Sequence, residues 1–217
     1  MTNVKVERKT VPDKEEMEAM IKYAKTIKNE YFRLRALATI AYLMSGKRKT
    51  EIANLLVDDH KLEKNRLLVT FSAKKTRSKE LFATQRTKEY SLESELAYFI
   101  LDYLYFLREK VHTEFVYPKG QSSFGSYIFY KDEQADPKTV YRIVKEINPQ
   151  SWTHLFRERK AVEIIREDER RFGRASIETV YKIMRALDLK DERSAWRYIR
   201  RHEVQKVEQE PEKPISL

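Results

Sequence analysis

The stretch that most constrains this chain is Ala41–Leu56, AYLMSGKRKTEIANLL. It closes an apolar run that starts near Tyr31, with Phe32, Leu34, Leu37, Ile40, Ala41 and Met44 at helical spacing. That helix is expected to be the central rod of the core. Gly46 ends it, as a left-handed cap does, and a short helix follows at about Arg48–Leu56. Arg48 and Glu51 stand one turn apart at the start of this second helix. Taken alone, the corner is an ordinary helix–turn–helix bearing solvated charges.

Residues 1–11 are polar, mixed in charge, and read as a flexible arm. Asp13 and Glu16 form a capping box before Met17, Met20, Ile21, Ala24 and Ile27, which repeat at helical spacing. Beyond the corner, Asp58, Asp59 and Asn65 mark turns, and the period changes to two. Arg66–Phe71 and Glu80–Thr84 read as strands joined by the polar Ser72–Lys79, with Glu89–Ser91 as a third short strand. An amphipathic helix over about Leu92–Lys110 buries Leu96, Phe99, Ile100, Tyr103, Leu104 and Leu107. Residues 111–136 read mostly as loop. Helices resume at Pro137–Ile147, Trp152–Arg170, Ile177–Leu187 and Glu192–His202. The tail, residues 203–217, is acidic and carries Pro211 and Pro214, so it is expected to be disordered or to dock on a neighbouring subunit. The fold class is mainly α with one small antiparallel β-sheet (α+β), in a single domain spanning residues 12–202.

Charge narrows the partners. Lys and Arg number 44 against 34 Asp and Glu, a net charge of +10 in 217 residues, which favours polyanions. A thermophilic source would also raise the charged fraction. There is no Cys, so no disulfide and no thiolate metal site, and the four His are not spaced as a metal cluster. No cofactor and no metal are expected. The most apolar stretch, Tyr31–Met44, contains Arg33 and Arg35 and cannot span a membrane. No apolar signal core opens the chain, so a cytoplasmic location is expected. With four Gly and no phosphate-binding loop, a nucleotide-hydrolysing fold is disfavoured.

Four pieces then recur in a fixed order. Arg48 lies in Gly-Lys-Arg-Lys-Thr-Glu, Lys74 and Lys75 lie between the first two predicted strands, His154 and Arg157 form His-Leu-Phe-Arg, and Tyr198 sits in the basic segment SAWRYIRRH. This order resembles the catalytic domain of tyrosine recombinases, the phage and archaeal-virus integrases and Xer-type resolvases. The resemblance covers about residues 13–202. It begins almost at Met1, as in an excised catalytic domain or a minimal recombinase.

The resemblance implies roles that suit the residue types. Two arginines clamp the non-bridging phosphate oxygens through planar, permanently charged forks; these are Arg48 and Arg157. Glu51 orients Arg48. His154 takes the tyrosine proton or holds a phosphate oxygen. Lys74, or Lys75 beside it, protonates the departing 5′-oxygen. Tyr198 is the nucleophile and forms a 3′-phosphotyrosyl intermediate without metal or ATP. Lys47, Lys49, Arg77, Lys79, Arg193, Arg197 and Arg200 are expected to contact DNA. In the host cell of a virus or mobile element, such a protein works as a homo-tetramer on double-stranded DNA, and as a monomer or weak dimer when free.

Two departures stand out. The position nine residues before the nucleophile normally holds His or Trp and here is Leu189, with Lys190 next to it. The interval from Arg157 to Tyr198 is also long, and Glu167–Arg174 is the expected insertion. Other readings share these features. A non-catalytic DNA-binding protein, either a helix-turn-helix regulator or a decayed integrase, would keep the charge and dispense with Tyr198. A type IB topoisomerase-like or telomere-resolving enzyme would use the same Tyr and Arg chemistry. A structural protein of a virion or nucleoid would explain the charge alone.

Overall fold

The computed structural model describes residues 11, 13–72, 85–111, 130–131, 134–135 and 137–209. They pack into two compact units that divide between Phe156 and Arg157.

The first unit opens with α1 (Lys14–Lys25) and α2 (Glu30–Met44). Asp13 caps α1 by accepting from the Glu16 backbone N–H at 2.7 Å. The expected capping box is only half formed, because Glu16's carboxylate accepts instead from Asn148 Nδ2 at 2.9 Å. Every residue of α2 from Arg35 to Leu43 is buried, so the helix is enclosed all round. This is the expected central rod. Gly46 follows with φ 82°, a left-handed conformation that costs any residue with a Cβ.

After the five-residue α3 (Lys49–Ala53) and a 3₁₀ turn at Val57–Asp59 comes a three-stranded antiparallel sheet of order β1-β2-β3. Its strands are β1 (His60–Glu63), β2 (Arg66–Ser72) and β3 (Gln85–Ser91). The register pairs Leu67 with Tyr90, Val69 with Lys88 and Phe71 with Arg86. Leu67, Val69, Phe71 and Tyr90 face the core. The sequence does not foretell β1. His60-Lys61-Leu62-Glu63 is a short edge strand with Leu62 exposed, so it lacks the alternation that marks a half-buried strand. The third strand begins four residues before the expected Glu89. The expected strand Glu80–Thr84 lies outside the described residues.

Helix α4 (Glu95–Phe106) packs along α2 and ends in a π-helical turn, Leu107–Val111. Two two-residue strands, β4 (Tyr130–Lys131) and β5 (Gln134–Ala135), pair antiparallel before α5 (Pro137–Ile147). The unit boundary falls inside α6 (Thr153–Phe172).

The second unit holds the rest of α6 with α7 (Ile177–Leu187) and α8 (Glu192–Gln209). Its core is Ala161, Ile165, Val180, Ile183, Leu187, Ala195 and Ile199. Helix α8 continues to Gln209, past its expected end at His202, so part of the expected tail is helical. The expected insertion is the last two turns of α6 and the turn at Gly173. Among the described residues, no helix is long and apolar enough to cross a membrane.

Candidate active site

In the first unit, the turn at Gly46 sends Lys47 inward and Arg48 outward. Arg48 is the N-cap of α3, and its backbone N–H donates to Glu51 Oε2 at 2.7 Å. The guanidinium lies 3.6 Å from Glu51 Oε1, with about half of its side chain exposed. A pair this open contributes under about 1 kcal/mol. Glu51 therefore acts chiefly as the cap of α3 and holds Arg48 loosely, with its fork toward solvent.

Lys47 differs from the expectation of a DNA contact. It is fully buried, its Nζ 4.5 Å from the centroid of the Phe71 ring. A buried ammonium over an aromatic face is stabilised by the ring quadrupole, and it has no surface to offer a phosphate. Lys49 is exposed, with its Nζ 5.5 Å from the Tyr141 ring. Lys74, Lys75, Arg77 and Lys79 lie outside the described residues; the strands that flank them are joined at the Ser72–Gln85 pair.

The His-x-x-Arg pair lies on the first turns of α6, where His154 is exposed and Arg157 is 3% exposed. Arg157 Nη2 donates to the Leu187 carbonyl at 2.7 Å. A backbone acceptor at the C-terminal end of α7 thus orients the fork and satisfies a carbonyl that the helix leaves open.

Tyr198 is half-buried on α8, packed beside the second unit's core with Trp196. At 100° per residue it lies beside the face formed by Ala195, Ile199 and His202. Arg193, Arg197 and Arg200 are all exposed and form a stripe on the opposite face. Arg201 turns aside to pair with Glu158, the neighbour of Arg157 on α6. Asp191 caps the start of helix α8: it accepts from the Ser194 N–H at 2.8 Å and from its hydroxyl at 3.0 Å. Those donors, with the charges of Arg197 and Arg193, hold the Asp191 carboxyl below its ordinary range.

Leu189 packs against the second unit's core, and its N–H closes the end of α7 on the Met184 carbonyl at 2.9 Å. Asp188 before it is left-handed, φ 52°. Leu189 is therefore the apolar residue of a helix-ending turn, a packing role.

One basic face was missed in the sequence. Lys138, Tyr141, Arg142 and Lys145 fall at i, i+3, i+4 and i+7 along α5, and Tyr141 stands between Lys49 and Lys145, whose Nζ is 5.8 Å from the ring. The spacing is legible in the sequence, but basic residues on one helix face equally mark an ordinary solvated surface. Among the described residues, no three His, Asp or Glu gather as a metal requires.

No family model and no curated protein matches this chain. Solved structures do. The XerH site-specific recombinase bound to palindromic difH substrate, in its post-cleavage complex, superposes with TM-score 0.58 and 18% identity, over 93% of this chain and 52% of that one. The pre-cleavage complex of XerH with difH gives TM-score 0.58 and 17% identity, over 92% and 53%. The fold is tyrosine-recombinase-like. The chain spans about half the length of the XerH chains it matches.

Proposed function

We propose that the chain is a site-specific DNA recombinase, an integrase or resolvase of a virus or mobile element, that cuts and rejoins DNA through Tyr198. The observation that carries this reading is the pairing within the second unit. An oriented, buried arginine and a tyrosine sit on helices fastened together near Arg157.

In this reading the Tyr198 phenolate attacks the phosphorus, its proton passing to His154 or to a water held there. The P–O5′ bond breaks, a 3′-phosphotyrosyl bond forms, and the 5′-oxygen takes a proton from Lys74 or Lys75. Arg48, whose fork is open, stabilises the pentavalent phosphorane through bidentate donors, and Arg157 adds its positive charge from its buried place beside α7. The phosphotyrosyl bond retains the energy of the bond broken, so a second 5′-hydroxyl can reverse the attack with no ATP. The stripe Arg193, Arg197 and Arg200 and the face of α5 contact DNA phosphates, and the working assembly is a homo-tetramer on two duplex sites.

A non-catalytic DNA-binding protein is favoured by one observation, a partly buried Leu189 packed against the core where a phosphate-binding His or Trp is expected. Incubation with supercoiled DNA carrying the chain's own coding sequence and flanks, followed by denaturation, separates the two readings. Recombination predicts a covalent complex that Tyr198→Phe abolishes. Salt-sensitive binding without an adduct, kept by the variant, supports the regulator.

A further inference from the structure

The last two turns of α6, within the expected insertion Glu167–Arg174, carry two buried or half-buried acids that hold the other helices of the second unit. Asp168, nearly fully buried, accepts from Thr179 Oγ1 at 2.8 Å and Lys182 Nζ at 2.6 Å, both on α7. Glu169 accepts from His202 Nε2 at 3.2 Å and lies 3.7 Å from Lys206 Nζ, one and two turns beyond Tyr198 on α8. At the other end of α6, Glu158 pairs with Arg201. Helix α8 is thus gripped by one carboxylate beside Arg157 and by another three turns along the same helix. On α8 both grips fall just after Tyr198, at Arg201 and at His202 with Lys206, and before them Ala195 and Ile199 are buried in one core with Ala161, Ile165 and the apolar face of α7.

We infer that Glu158 and Glu169 are positioning residues for the nucleophile, clamping α8 to α6 so that Tyr198 serves the Arg157 of its own chain. The inference deepens the recombinase reading and rests on it for the chemistry, but the clamp itself is a property of the free protein. The physical reason is the cost of the alternative. Delivering Tyr198 to another chain would require α8 to leave α6, separating Glu158 and Glu169 from their partners together and exposing Ile199.

The test has two readouts. In free full-length protein, Glu169→Ala is expected to speed amide hydrogen exchange across 199–206 while α7 keeps its protection. Unchanged exchange there overturns the clamp. On supercoiled DNA, Glu169→Ala is expected to slow adduct formation at saturating DNA by on the order of ten- to a hundredfold, the usual scale for a misplaced reacting group. The half-saturating DNA concentration should stay unchanged. Glu169→Gln still accepts from His202 and is expected to regain most of the rate; a rate in Glu169→Ala equal to wild type overturns the assignment. Mixing Tyr198→Phe with Arg157→Ala is expected to give no adduct, whereas an adduct in the mixture shows delivery to another chain and overturns it. If wild type forms no adduct, the recombinase reading falls and the exchange result still decides the clamp.

Discussion

Lys47 and Lys49 flank Arg48 symmetrically in the sequence yet meet opposite fates. Lys47 is buried on Phe71, and Lys49 is exposed beside Tyr141. Lys47→Met is therefore expected to leave DNA affinity and its salt dependence unchanged in a fluorescence-anisotropy titration. Lys49→Met should flatten the plot of log affinity against log salt by about 0.9, the value for one neutralised phosphate. Leu189 poses the complementary question. Leu189→His restores a phosphate-binding side chain but places a polar ring against the apolar core, so the melting curve should show a loss of about 1–3 kcal/mol. A faster adduct in that variant would mean that the position still faces the reacting phosphate.

At the scale of elements, two helices and a sheet are pinned by polar groups whose titration can be followed. His60, at the start of β1, donates from Nδ1 toward the Leu56 and Val57 carbonyls at 3.0 and 3.2 Å, so its Nε2 accepts from the Tyr42 hydroxyl at 2.7 Å. Burial, helped by the charge of Arg108, pushes the imidazole down to about 4 from 6.5, against the pull of the two carbonyls. The unfolded chain then binds the proton first, so this contribution is complete above pH 6.5 and is lost as pH falls from 6.5 to about 4. The loss is on the order of 3 kcal/mol at 1.36 kcal/mol per unit. Denaturant melts at pH 7 and pH 5 should show most of it, and Tyr42→Phe should cost about 1 kcal/mol at pH 7.

In the second unit, burial alone would raise the Asp168 carboxyl, but the hydrogen bonds from Lys182 and Thr179 and the charges of Lys182 and Arg171 outweigh it and hold it below 3.8. Its contribution is complete above that value and is lost as pH falls through its lowered folded pKa. Asp168→Asn is expected to remove this acid-dependent part of the unfolding transition of α6–α8 while leaving the His60 transition unchanged.

For the whole molecule, the net charge of +10 and the separate basic faces on α5 and α8 favour DNA binding dominated by phosphates. Replacing Arg193, Arg197 and Arg200 together by Ala is expected to reduce the salt slope by about 0.9 for each phosphate no longer neutralised. The stability of the second unit should hardly change, because the stripe faces away from Ala195 and Ile199. An unchanged slope would remove α8 from the DNA surface and weaken the recombinase reading with it.

Much of the architecture was legible because local rules fix it. The period of 3.6 located α2, α5 and α7 nearly to the residue, and Gly46 announced the left-handed turn before Arg48. The order of arginine, histidine–arginine and tyrosine boxes by itself points to a tyrosine-recombinase-like fold. Other features were set only by packing. Edge strand β1 exists because β2 supplies its hydrogen bonds, and its own sequence has no alternation to read. Helix α8 outruns its apolar pattern because Glu169 holds His202 and Lys206. Lys47 is buried and Arg48 is open because a turn of fixed hand aims neighbouring side chains in different directions, whereas in the sequence the two charges look alike. Local pattern determined which helices form and which residues could carry the chemistry. The burial of each side chain, and the partner that orients it, depended on packing between residues far apart in the chain.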